Sequence, residues 1–114
     1  MKDTLAAVRN ELLEKDLIGQ DLLALGVRWI ASLVSQETVL FGIKDGELMV
    51  LPFFDLNDPL FNRIMYYTKE SIKDIRFSGL ASLLYIMLND GSSAKYSIKK
   101  GKSDMRSIVS AFGA

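Results

Sequence analysis

Residues 83–112 read LLYIMLNDGSSAKYSIKKGKSDMRSIVSAF, and this stretch decides the fold class. In its first part Leu84, Ile86 and Leu88 interleave with Leu83, Tyr85 and Met87, so both faces of an extended segment are apolar. Further on, Tyr96 and Ile98 alternate with Lys95, Ser97 and Lys99, the period of two that a half-buried strand requires. Asn89, Asp90 and Gly91 lie between the two runs, where short polar side chains and glycine let the chain reverse with little strain. Met105, Ile108, Val109 and Phe112 then stand at i, i+3, i+4 and i+7, one face of a helix. The spacing predicts a β-hairpin closed by an amphipathic helix.

Working back from that ending, the same signals recur. Lys44, Asp45, Gly46 and Glu47 carry an Asp-Gly turn, a strong short-range hairpin signal. It joins a strand over 38–43, where Val39, Phe41 and Ile43 alternate with Thr38, Leu40 and Gly42, to a strand over 48–54. Pro52 has no N–H for a ladder, so this strand must hold it at an edge or a bulge. A strand is also predicted over 27–34, with Trp29 as its large side chain, and others over 63–68 and 72–77; residues 55–62 read as a loop. Near the start, Asp3 or Thr4 can cap a helix over 4–16 whose apolar face is Leu5, Val8, Leu12 and Leu13. Gly19 and Gly26 bracket an apolar connection over 20–25 that continues as helix or runs irregularly. Seven short strands, a closing helix and an extra first helix define an α+β protein.

Composition narrows the function. The 114 residues form one domain with 49% hydrophobic and 25% charged content, enough for a real core. With no cysteine and no histidine, disulfides, thiolate and histidine triads, and Cys or His metal sites are excluded within the chain. No paired carboxylates have an acid-base spacing, and no glycine-rich phosphate loop is present. These features point to a non-enzymatic protein without cofactor or metal. No apolar run reaches the roughly 18 residues of a membrane span, and residues 1–4 lack signal-peptide character; a cytoplasmic protein is expected. The formal net charge is zero, yet residues 1–60 hold 5 Lys and Arg against 10 Asp and Glu, while residues 61–114 hold 9 against 4. Such a dipolar chain orients partners or copies of itself, and its neutrality argues against nucleic acid.

The hairpin TVLFGIKDGELMVLPF, the element SIKDIRFSG, the hairpin LLYIMLNDGSSAKYSI and the closing helix SDMRSIVSAF together resemble the pleckstrin-homology (PH) superfold, in particular the bacterial PH-like domains of the YokE-like group. The likeness covers residues 27–112 and lies in the order of elements. It implies a strongly bent, seven-stranded antiparallel barrel over 27–114, plugged by the C-terminal helix, with residues 1–26 as a helical extension. Its implied role is interaction, and bacterial relatives often assemble through sheet edges. Phosphoinositide-binding members use basic residues around the first hairpin, but Ser35, Gln36 and Glu37 stand at the corresponding turn here, so that activity is not implied.

Two groups of residues are candidate sites. Phe53, Phe54, Leu56, Leu60 and Phe61 concentrate apolar rings beside Asp55 and Asp58, a composition suited to an interface core; the alternative is that they fold back over the sheet. Phe53, Phe54 and Phe61 are the expected contacts of a homo-oligomer, with the first helix as runner-up. Lys95, Lys99, Lys100, Lys102 and Arg106 form a basic run near a helix start at Ser103, able to hold an anionic lipid or another polyanion or simply to stay solvated. Trp29, Met49, Met65, Met87 and Met105 read as core fillers, and of Tyr66 and Tyr67, on opposite faces of a strand, one is expected to be exposed.

Overall fold

The Asp-Gly turn is the most economical place to start, because it fixes a register. In the computed structural model, which describes residues 4–29, 37–55 and 58–113, Asp45 and Gly46 both have positive φ, 52° and 78°. That is a type I′ turn, whose twist matches that of the flanking strands. It joins β2 (Glu37–Lys44) to β3 (Glu47–Asp55), with Lys44 opposite Glu47 and Val39 opposite Pro52. Hydrogen-bonded and non-hydrogen-bonded pairs alternate along an antiparallel ladder. Counting from the turn, Pro52 falls on a non-hydrogen-bonded pair and needs no N–H toward β2. On its other side β3 pairs with β5 (Met65–Tyr67) through Leu48 to Val50 and with the two-residue β4 (Asp58–Pro59) from Phe53 onward, with a register break at Phe53. Pro52 sits in the gap between them.

The remaining strands are β1 (Ala24–Arg28), β6 (Ile72–Ser78), β7 (Leu83–Leu88) and β8 (Ser93–Lys100). All pairs are antiparallel, and the order is β4-β3-β2-β1-β8-β7-β6, with β5 also on β3. The sheet is not closed into a barrel: β4 and β6 end the path among the described residues. It has eight strands rather than seven because β4 forms within the expected loop. The predicted strand over 27–34 starts earlier, at Ala24, so the apolar connection over 20–25 feeds directly into it; residues 30–34 lie outside the described part.

Strand alternation sorts the core into two layers. On the inner face Ala24, Val39, Phe41, Leu48, Ile75, Leu84, Ile86, Tyr96 and Ile98 are buried together. Helix α2 (Lys102–Ala111) lies on them through Met105, Ile108 and Val109, with Phe112 beyond its end, which is the face the sequence predicts. Gly101, before α2, is required: its φ is +80°, and a Cβ there would collide with the Leu23 carbonyl oxygen.

On the outer face of β1–β3, Leu40, Met49, Leu51 and Phe53 pack with Val8 and Leu12 of α1 (Thr4–Glu14). Leu13, expected on this stripe, is 44% exposed; the stripe runs through Leu5, Val8 and Leu12, and Leu13 lies one residue off it. The helix stops because Asp16 is left-handed at φ 57°. Leu17 N–H then donates to Leu12 and Asp16 N–H to Leu13, at 2.8 and 3.1 Å, a Schellman closure built on Asp instead of Gly. The Asp16 carboxylate meets Lys44 Nζ at 2.8 Å, and Gly19 N–H donates to Ile43 O, tying α1 to the β2–β3 turn.

Candidate functional site

The outer face of β6–β8 has no such cover among the described residues. On β7, Leu84 and Ile86 point inward, so Leu83, Tyr85 and Met87 form an outward row, each partly exposed. On β8, Tyr96 and Ile98 point inward and Lys95, Ser97 and Lys99 outward. The register places Tyr85 beside Lys95 and Leu83 beside Ser97. From β6, Arg76 stands opposite Tyr85 and lies over its ring, 5.6 Å from the centroid, while pairing with Asp74 at 2.6 Å.

Trp29 completes this surface and is a correction to the sequence reading. It is 57% exposed rather than core. The inward positions of β1 are Ala24, Gly26 and Arg28; Trp29 is one residue out of phase and therefore faces outward. Its backbone N–H extends the ladder to Lys95 O at 2.8 Å, and its indole Nε1–H donates to Ser97 Oγ at 2.6 Å. The ring is thus pinned on the outer face beside Lys95. The methionines divide likewise: Met49 and Met105 are buried as expected, Met87 is half-buried on the outer row, and Met65 is 52% exposed.

The expected basic run is distributed over two sides of the sheet. Lys95 and Lys99 belong to the outer face. Lys102 and Arg106 ride on α2, which packs against the inner face, and Arg106 crosses Gly79 so closely that a side chain there would collide with its guanidinium. Lys100 is exposed at the end of β8, where the β1 register shifts. Asp104, in the first turn of α2, accepts from Leu23 N–H at 3.2 Å. Among the described residues, none of Lys95, Lys99, Lys100 and Lys102 forms an ion pair, whereas the cations of the first half are matched: Arg9 with Asp21, Lys15 with Glu11, Arg28 with Glu37, Lys44 with Asp16.

The aromatic loop also separates. Phe53 is buried in the outer layer under α1, and Phe61 packs against the same layer with Lys15 Nζ 4.8 Å above its ring. Phe54 is 78% exposed, Leu60 is half-buried, and Leu56 lies outside the described residues. Strand alternation alone separates Phe53 from Phe54.

At the opposite end of the charge distribution, the β2–β3 turn is acidic. Asp16, Asp45 and Glu47 surround Lys44 and the Tyr66 hydroxyl, which donates to Leu17 O at 2.7 Å. Burial raises the Tyr66 pKa, Lys44 opposes the rise, and the three carboxylates add to it. Tyr66 and Tyr67 do lie on opposite faces, but both are half-buried, Tyr66 against the outer layer and Tyr67 against the inner. Among the described residues no group of three or more Asp or Glu side chains is arranged to hold a metal ion, and no helix is long and apolar enough to cross a membrane. Comparison with protein-family models, with curated proteins and with solved structures finds no match to this chain.

Proposed function

We propose that this protein is a non-enzymatic, PH-like interaction module that associates with copies of itself, the outer face of β6–β8 on one copy receiving the acidic β2–β3 end of the next. The observation that carries the reading is the uneven cover of the sheet. One outer half is covered by α1; the other presents Trp29, Leu83, Tyr85 and Met87 around Lys95, with Lys99 further along β8, and neither lysine forms an ion pair among the described residues. Aromatic and Met side chains are enriched in interface cores, and lysines beside them select an acidic partner. The chain itself supplies one in Asp45 and Glu47. Two antiparallel meanders joined through β1 and β8, with a helix on the shared inner face, support the PH-like reading.

Unlike surfaces on one chain pair head to tail and close into rings only if the rotation permits. Light scattering across a concentration series at low salt is expected to show mass rising above that of the monomer, and high salt to reverse it. Lys95→Glu with Lys99→Glu abolishes the rise, and adding Asp45→Lys with Glu47→Lys restores it. A monomer at every concentration contradicts the proposal. If the double lysine variant instead loses binding to phosphatidylserine vesicles while the parent stays monomeric, the surface serves a membrane.

A further inference from the structure

The inner face of the sheet has two ends, and among the described residues only one is plugged. β1 starts beneath the first turn of α2, where Leu23 and Ala24 crowd Gly101, and it finishes at Arg28 on the rim of a partly open pocket of about 130 Å³. Val50, Ile86 and Leu88 give the pocket apolar walls, and Arg28, Tyr67 and Tyr96 bring polar groups to it from three different strands. The register explains the convergence: Arg28 stands directly opposite Tyr96, on the inward side of β1.

Arg28 is not fully used by its neighbour. Its guanidinium reaches Glu37 at 3.8 Å, well beyond the roughly 2.7 to 2.9 Å of a charge-assisted hydrogen bond, so its donors can be directed elsewhere. Tyr96 packs edge-on against Phe41, with centroids 4.9 Å apart. Burial, above all, raises its hydroxyl pKa, and Arg28 opposes the rise. The volume is close to that of an apolar protein cavity of about 150 Å³ that accepts benzene. Two features set the charge of what fits. A single arginine favours one negative charge, and the Glu37 carboxylate beside it disfavours a second.

We infer that this pocket binds a small monocarboxylate with one aromatic ring or a short branched chain, its carboxylate at Arg28 and its apolar body between Val50, Ile86 and Leu88. The site lies on the inner side of the sheet, so it stands or falls separately from self-association on the outer face.

The test is a titration of the full chain with benzoate, followed by amide chemical shifts, with benzyl alcohol as the neutral analogue and phenyl phosphate as the dianion. Saturable shifts centred on residues 28, 50, 86 and 96 are expected for benzoate, with at least tenfold tighter binding than either analogue. Arg28→Gln is expected to lower benzoate affinity at least tenfold while leaving the weaker benzyl alcohol binding unchanged, a control that also reports a folded pocket. Ala94→Phe, which fills the space from β8, removes both. The inference is overturned if benzoate gives no saturable shifts, if it binds no better than benzyl alcohol, or if Arg28→Gln leaves its affinity unchanged.

Discussion

The outer surfaces of the two halves of the sheet are built alike and finished differently. On β1–β3, Leu40, Met49, Leu51 and Phe53 are buried because Val8 and Leu12 of α1 lie on them. On β6–β8, Leu83, Tyr85 and Met87 form an equivalent row along the middle strand, yet they stay partly exposed and gain Trp29 from β1 instead of a helix. The neighbours differ in kind as well. The covered row is flanked by further apolar residues; the uncovered row is flanked by Lys95, Ser97, Lys99 and Arg76. A face meant for solvent would have lost its large apolar side chains, and one meant for the core would have lost its lysines. The combination supports the proposal that this face meets something outside its own chain.

The sharpest way to break this comparison is to truncate one residue on each side. Leu12→Ala, at a site with 0% exposure, is expected to cost about 2 to 5 kcal/mol, read as a lowered denaturation midpoint; Ile108→Ala under α2 falls in the same range. Tyr85→Ala is expected to cost less than about 1 kcal/mol, the range of substitutions away from the core, while abolishing association. Equal losses at Leu12 and Tyr85 would erase the distinction between the two faces.

Two neighbouring rings give the same contrast at single-residue resolution. Phe53→Ala is expected to destabilise by about 3 to 5 kcal/mol, and Phe54→Ala to stay within about 0.5 kcal/mol, both by urea denaturation. Gly101→Ala comes next, at about 1 to 3 kcal/mol for the left-handed backbone alone, with the contact to Leu23 added. A Gly101→Ala variant as stable as the parent would show that α2 does not enter the sheet as described.

Much of the architecture is legible in the sequence, and the failures share a cause. The turn at Asp45 and Gly46, the Met105 to Phe112 stripe and the strands beginning at Ile72 and Leu83 depend on local periodicity, which survives without knowledge of partners. The face of Trp29 is not legible locally because it depends on the phase of β1, and a shift of one residue moves a side chain to the other side of the sheet. The basic run reads as one patch in the sequence because strand alternation and the seat of α2, which divide it, are tertiary facts. The pocket is invisible for the same reason, since Arg28, Val50, Tyr67 and Tyr96 come from four strands and meet only when the sheet bends. The extent of α1 is legible to within two residues, but its seat on the outer face of β1–β3 is again a tertiary fact.

The smallest effect expected is alkaline. Tyr66 and Tyr96 both have pKa values raised by burial, so near pH 10 the folded chain holds protons that the unfolded chain has released. Their contribution is therefore complete below about pH 10, the unfolded tyrosine value, and is lost as pH rises through the folded values. Tyr96→Phe is expected to flatten the fall of stability above pH 10, measured by thermal denaturation. An unchanged slope would mean that Tyr96 ionises as freely in the folded chain as in the unfolded one.

The most direct measurement is light scattering of the parent and of Tyr85→Asp over the same concentrations at low salt. The uneven cover of the sheet predicts a mass that rises with concentration for the parent and stays monomeric for Tyr85→Asp, with the folded spectrum retained. A monomeric parent, or a Tyr85→Asp variant that assembles as the parent does, would contradict the assignment of this face to self-association.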